Sequence, residues 1–131
     1  MMQVSADLSV LLESQAWQDI LATLPQELSA RGFHPVSIFV IQVAESCPND
    51  DPLAQEYLFQ FGIMPQEIPL WRIIVNGETT QPLAAAASTV ADCLPAGAPW
   101  LGSAEIGFTE MGLGTPAVWR CLLYTSDAAD E

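Results

Sequence analysis

The three thiols are the first candidates for chemistry, and Cys47 has the most reactive setting. It lies after a predicted strand and before a predicted helix N-terminus, where a thiol can be activated as a nucleophile. The neighbouring carboxylates of Glu45, Asp50 and Asp51 oppose a thiolate by like-charge repulsion. Cys93 follows an alanine-rich segment and is predicted to be a small core residue. We expect no catalytic residue, and Cys47 is the alternative candidate.

The other candidate residues have simpler structural explanations. His34 is the only histidine, and it has no nearby sequence partner, so we expect it at the surface or at a strand edge. Asp50 and Asp51 could bind Mg²⁺ through their carboxylates, but helix capping explains the pair more simply. Residues 112–115, Gly-Leu-Gly-Thr, lack the lysine of a phosphate loop and predict a hairpin turn. We expect no metal and no cofactor.

The charge balance excludes several classes of partner. The chain has 16 acidic residues, three arginines and no lysine, which gives a formal net charge of −13. Without a cationic stripe it cannot release counterions from a phosphate backbone, and anionic lipid is an equally poor partner. We therefore expect a protein partner, no nucleic acid and no membrane.

The sequence predicts a cytoplasmic location. Its first residues carry no positively charged side chain, and its longest apolar stretch, residues 36–44, is interrupted by Gln42. That stretch is far shorter than the roughly 20 residues that cross a membrane. With the C-terminal tail discounted, the remaining cysteines are too few for a disulfide framework, which fits a reducing compartment.

Apolar periodicity predicts the elements of the first third of the chain. Apolar residues recur at threes and fours from Leu8 to Leu28 and predict one buried helical face, which Pro25 is expected to kink or restart. Alternatively, residues 8–12 form a short strand. The nearly continuous apolar run over residues 35–43 is rich in β-branched residues and predicts a central strand covered on both faces.

The middle of the chain alternates helix and strand signals. Asp51, followed by a proline, predicts a helix start, and Gly62 predicts its end. Residues 70–75 predict a strand. Asn76-Gly77 is the favoured pair for a tight hairpin turn, after which a return strand is expected. A strand, a helix and another strand in this order indicate the α/β class.

Four motifs in this region together resemble the second half of a thioredoxin-fold domain. They are Asp50-Asp51-Pro52-Leu53-Ala54-Gln55-Glu56-Tyr57, Phe61-Gly62-Ile63, Ile68-Pro69 and Val75-Asn76-Gly77-Glu78. In that family an acidic turn opens a helix that ends in aromatic-Gly-Ile, a cis proline begins the next strand, and a hairpin precedes the last helix. The resemblance implies a thioredoxin-like three-layer sandwich.

The resemblance departs from the family at its redox centre. Disulfide exchange there needs Cys-x-x-Cys at the start of the first helix, whereas residues 13–19 contain no cysteine. The feature that remains implied is the groove beside Ile68-Pro69, with Trp17 nearby. In the family, this groove receives an extended peptide by backbone pairing. The resemblance therefore implies a non-catalytic chaperone, adaptor or assembly factor. The alternatives are a thiol-redox enzyme that uses Cys47 and a subunit of a larger complex with an unrelated α/β fold.

The C-terminal tail is expected to be foreign to the protein. Residues 121–131 resemble translated sequencing-adapter DNA at every position, so we expect a truncated reading frame. The tail holds three acids and no base, which leaves 13 acids, three arginines and a net charge of −10. We expect a thioredoxin-like α/β domain over residues 1–97, which an alanine-rich helix at 83–94 closes, and a truncated glycine-rich β extension over 98–120.

Overall fold

The computed structural model describes residues 1–45, 51–63, 68–110 and 117–120. Within these residues the elements follow in the order β1 (Met2–Leu11), α1 (Ala16–Ala30), β2 (Phe33–Ala44), α2 (Pro52–Phe61), β3 (Leu70–Thr79), α3 (Leu83–Asp92), β4 (Trp100–Ile106) and β5 (Trp119–Arg120). The predicted mixed α/β class is confirmed.

All these strands belong to one sheet with the order β4-β1-β3-β2-β5. Every neighbouring pair is antiparallel. β1 and β2, which α1 connects, run in the same direction and are separated by β3. This is the split β-α-β arrangement, here with α2 inserted between β2 and β3. The segment predicted as a glycine-rich extension supplies both edge strands, β4 and β5.

The alternation of side chains along β1 separates the two faces of the sheet. Four residues on one face are fully buried in the main core: Val4, Ala6, Leu8 and Val10. The residues between them, from Ser5 to Leu11, face the opposite side. We call the first side the core face and the second the open face.

Helices cover the two faces unequally. The core face is covered by α1 and α3, whose buried apolar residues are Trp17, Ile20, Leu24 and Leu28 in α1 and Ala86, Ala87 and Val90 in α3. On the open face α2 covers only one end of the sheet, where Leu53 and Ala54 pack with Leu11 and Leu70. The other end of the open face carries polar side chains.

The predicted helix from Leu8 to Leu28 is wrong in its first part, and the alternative strand over residues 8–12 is largely confirmed. The stretch up to Leu11 is a strand because its even-numbered residues all enter the core. The helix begins at Ala16 and passes through Pro25 without a new start. An interior proline costs about 3 kcal/mol, and the buried face of α1 offsets that cost.

Two further predictions concern β2 and α2. The strand over residues 35–43 is confirmed, but it is not central, because among the described residues only Ser37 and Ile38 pair on its outer side. The predicted caps of α2 are confirmed. The Asp51 carboxylate accepts a hydrogen bond from the Leu53 amide at 2.9 Å, and Gly62 ends the helix with a φ of 78°.

The predicted hairpin at Asn76-Gly77 is wrong, because β3 runs straight through both residues. Gly77 is needed for close packing and not for a turn. A Cβ atom at this position would lie 2.6 Å from the backbone oxygen of His34 and would also collide with the Phe33 ring. The glycine therefore allows β2 and β3 to pair closely.

Two features that the thioredoxin-like resemblance implied are absent at the positions that carried it. The Ile68-Pro69 peptide is trans, since the described residues contain no cis peptide bond. The strand that follows does not turn back as a hairpin and instead pairs with β1 and β2 along its length.

Candidate functional site

An exposed apolar surface lies on the C-terminal half of α2. Only Leu53 and Ala54 of this helix are buried. Near its end the exposed fractions are 87% for Phe59, 51% for Phe61 and 64% for Ile63. We call Leu58, Phe59, Phe61 and Ile63 the apolar surface. Several exposed large apolar side chains within one short segment are typical of an interaction site.

A small apolar pocket of about 200 Å³ adjoins this surface. The rings of Tyr57 and Phe61, whose centroids are 4.6 Å apart, form one wall of it. The rest of the lining consists of Leu11, Leu12, Glu13, Ile68 and the turn over residues 95–99. The pocket is suited to one aliphatic or aromatic side chain.

A wider groove of about 550 Å³ lies between α2 and the start of β4. Pro52, Glu56 and Gln60 line the helix side, and residues 97–101 line the other side. The Gln60 side-chain amide donates a hydrogen bond to the Gly97 carbonyl at 2.9 Å, which holds the two sides together. We call this the α2–β4 groove.

A polar cleft of about 210 Å³ lies on the open face, beside the C-terminal half of β4. Its lining residues are Ser5, Asp7, Arg72, Ser103, Glu105 and Thr109. Arg72 donates hydrogen bonds to both carboxylate oxygens of Asp7, a bidentate geometry. That hydrogen bonding raises the pKa of Arg72, so its guanidinium stays charged. With one cation and two carboxylates, the cleft has a formal charge of −1.

The segment after β4 returns across the open face and is fixed there by Asn76. The Asn76 side-chain amide donates to the Thr109 carbonyl at 3.0 Å and accepts from the Thr109 amide at 2.9 Å. The hydroxyl groups of Thr109 and Ser5 are 2.6 Å apart. Because Asn76 is only 3% exposed, these bonds define a fixed wall of the polar cleft.

The structure does not bring the three predicted partner-binding residues together: Trp17 lies in the core under α1, whereas Ile68 packs against the cluster beneath α2 on the open face. Trp17 is 5% exposed and packs edge-on against Trp71 at a centroid distance of 5.7 Å. The Trp71 ring donates to the Leu12 carbonyl at 2.7 Å, and the Leu12 amide donates to the Pro69 carbonyl at 3.3 Å. Trp17 is therefore a core residue, whereas Ile68 lines the apolar pocket.

The nucleophile and metal candidates form no site in the described part of the chain. Cys47, Asp50 and residues 112–115 lie outside the described residues. Cys93 is half-buried, its thiol donates to the Thr89 carbonyl at 3.5 Å, and burial raises its pKa, so it is a poor nucleophile. Over residues 1–45, 51–63, 68–110 and 117–120, no group of three His, Cys, Asp or Glu side chains could hold a metal ion.

Neither the apolar surface nor the polar cleft was predicted from the sequence, although the apolar surface left a local signal there. In Tyr57-Leu58-Phe59-Gln60-Phe61, apolar side chains point in more directions than one buried face can cover, which signals an exposed patch. The cleft joins side chains from strands that are distant in sequence. Their meeting depends on the sheet order, which local patterns do not specify.

No protein family model, no curated protein and no solved structure matches this chain. The described helices include none that is both long and apolar enough to span a membrane. Because no known protein matches, the function is inferred from the geometry of the site.

Proposed function

We propose that this chain is a non-catalytic protein-binding domain, of the adaptor, chaperone or assembly-factor type. One observation carries the proposal: the apolar surface of α2 stands beside an apolar pocket and an open groove. Burial of one exposed aromatic or aliphatic side chain contributes about 1.5–3 kcal/mol. Phe59, Phe61 and Ile63 together could therefore stabilise a specific complex.

The charges around the site favour a partner segment with basic side chains. The acidic side chains that line the apolar pocket and the α2–β4 groove are Glu13 and Glu56, and none of the described lining residues of either cavity is basic. Opposite charge at the rim of an interface accelerates association and selects the partner. We therefore infer an apolar segment flanked by lysine or arginine.

The protein-binding role implied by the thioredoxin-like resemblance is retained here, but the contact surface is different. The resemblance placed the contact at Trp17 and Ile68-Pro69. In this proposal Trp17 supports the core, Ile68 lines the pocket, and α2 makes the main contact. A cytoplasmic location belongs to the same proposal, since the sequence contains no disulfide framework.

A subunit of a larger complex with an unrelated α/β fold is the second candidate. The split β-α-β order of the sheet favours it over a thioredoxin-like adaptor. Both candidates use the same apolar surface and differ in how long the partner stays bound. Dissociation of the purified complex within seconds indicates an adaptor, whereas co-purification at nanomolar concentration indicates a subunit.

Site-specific photocrosslinking tests the proposal. A photoreactive phenylalanine analogue in place of Phe59 should crosslink to a partner that mass spectrometry can identify, and the affinity for that purified partner can then be measured. Phe59→Ser should weaken binding by about tenfold or more. Val118→Ser is the matched control, because Val118 is also exposed but lies beside β5, at the opposite edge of the sheet. Equal affinities for the two variants would contradict the proposal.

A further inference from the structure

The two edges of the sheet differ in how they are protected against pairing with another strand. On the other side, among the described residues, the short edge strand β5 pairs with β2 only at Ser37 and Ile38. β2 itself contains Pro35 and has irregularities in its pairing with β3 near Pro35 and Gln42, features that discourage strand addition. β4 contains neither proline nor lysine, and it pairs with β1 in unbroken register. No described residue pairs with the outer edge of β4. Within the described part of the chain, the outward-facing backbone donors and acceptors of β4 therefore have no strand partner.

The open edge of β4 passes two of the cavities in sequence. β4 starts in the α2–β4 groove, where Trp100 and Leu101 contribute to the lining. It then passes the polar cleft, where Ser103 and Glu105 contribute. A strand added beside β4, at the usual spacing of about 4.8 Å, would follow one path from the groove to the cleft.

The open face selects the side chains of such a strand. Alternate residues of the added strand would lie beside Leu101, Ser103 and Glu105. In the polar cleft, the positive charge of Arg72 is already paired with Asp7. The carboxylate of Glu105 therefore gives the cleft a formal charge of −1. The hydroxyl groups that line the cleft can accept hydrogen bonds from an ammonium group. A lysine or arginine at these alternate positions is therefore complementary.

We propose that the partner binds as an extended strand on the outer edge of β4, with basic side chains towards the polar cleft and apolar side chains towards the core face. This inference rests on the proposed protein-binding function and adds the conformation and the sequence pattern of the bound segment. Backbone hydrogen bonds would supply affinity, and the alternating pattern would supply specificity. The α2–β4 groove would receive the end of the strand that lies beside Trp100.

Synthetic peptides test the inference on the full chain. The probe is an acetylated and amidated peptide of alternating lysine and valine. It is seven residues long, which is the length of β4. Two further peptides carry N-methyl groups on backbone amides. One is methylated at the backbone nitrogens of the lysines, and the other at the backbone nitrogens of the valines. Because alternate amides of a strand point to opposite sides, one methylated peptide should bind about tenfold or more weakly and the other should bind like the parent.

Charge and surface variants complete the experiment. Glu105→Lys, at an exposed position, should weaken binding of the lysine–valine peptide about fivefold, and a glutamate–valine peptide should not bind. Two equally tight methylated peptides would overturn strand addition. The proposed function would then still stand if Phe59→Ser lost the natural partner. No binding at about 1 mM peptide, or a dimer of the chain that occupies β4, would also overturn the inference.

Discussion

Asn76→Ala should destabilise the fold strongly, because this residue holds the segment after β4 on the open face. Its side chain is buried and makes three hydrogen bonds, two to the Thr109 backbone and one to the Ser37 hydroxyl at 3.3 Å. A net contribution of about 0.5–1.5 kcal/mol for each bond predicts a loss of roughly 2–4 kcal/mol in the free energy of unfolding. The melting temperature should fall by about 10 °C.

Urea unfolding followed by tryptophan fluorescence measures this loss, and Ser37→Ala is the matched control. That variant removes only the longest of the three bonds and should cost about 0.5–1 kcal/mol. The comparison also distinguishes the continuous strand β3 from the hairpin that Asn76-Gly77 predicts in the sequence. In an exposed turn Asn76→Ala would cost less than about 0.5 kcal/mol, and such a result would refute the continuous strand.

Three further predictions concern other parts of the fold. Gly77→Ala should lower stability by about 1–3 kcal/mol in the same urea assay, because its methyl group would press against the β2 backbone; an unchanged midpoint would disprove this. Trp71→Phe should cost about 1 kcal/mol more than Trp17→Phe, because only the Trp71 indole donates a hydrogen bond, to Leu12; equal midpoints would argue against that bond. In a variant without other cysteines, the labelling rate of Cys93 should reach half its maximum above the ordinary thiol pKa of about 8.5, because burial raises its pKa; a midpoint below pH 8 would contradict this.

The raised pKa of Cys93 also fixes the sign of its effect on stability. The folded state favours the neutral thiol, and this preference contributes to the free energy of unfolding. The contribution is fully present below the pKa of the thiol in the unfolded chain. It is lost as the pH rises through the higher pKa of the folded chain. Removal of this thiol should therefore reduce the decline of stability in alkaline solution, which urea unfolding at a series of pH values can measure.

Local signals in the sequence were sufficient where the structure depends on neighbouring residues. Asp51 and Gly62 mark the ends of α2 because capping requires only the chemistry of the cap and the first or last turn. The α3 helix follows equally from its alanine-rich composition. These predictions needed no knowledge of the sheet.

Long-range contacts decided the features that the sequence did not predict. Leu8 and Leu11 fit a helical period as well as a strand, and only the pairing of β1 with β3 and β4 selects the strand. Asn76-Gly77 predicts a turn, but Gly77 lies within β3 because the close approach of Phe33 leaves no room for a side chain there. The polar cleft and the open edge of β4 follow from the sheet order and could not be predicted from local patterns.

Hydrogen exchange of the full chain, with and without the lysine–valine peptide, tests the central claim most directly. Protein binding through α2 and β4 predicts slower exchange at alternate amides of β4 and in the part of α2 that lines the α2–β4 groove, with α1 unchanged. Protection confined to Ile68 and the residues around Trp17 would contradict it, and no protection at saturating peptide would contradict binding at β4.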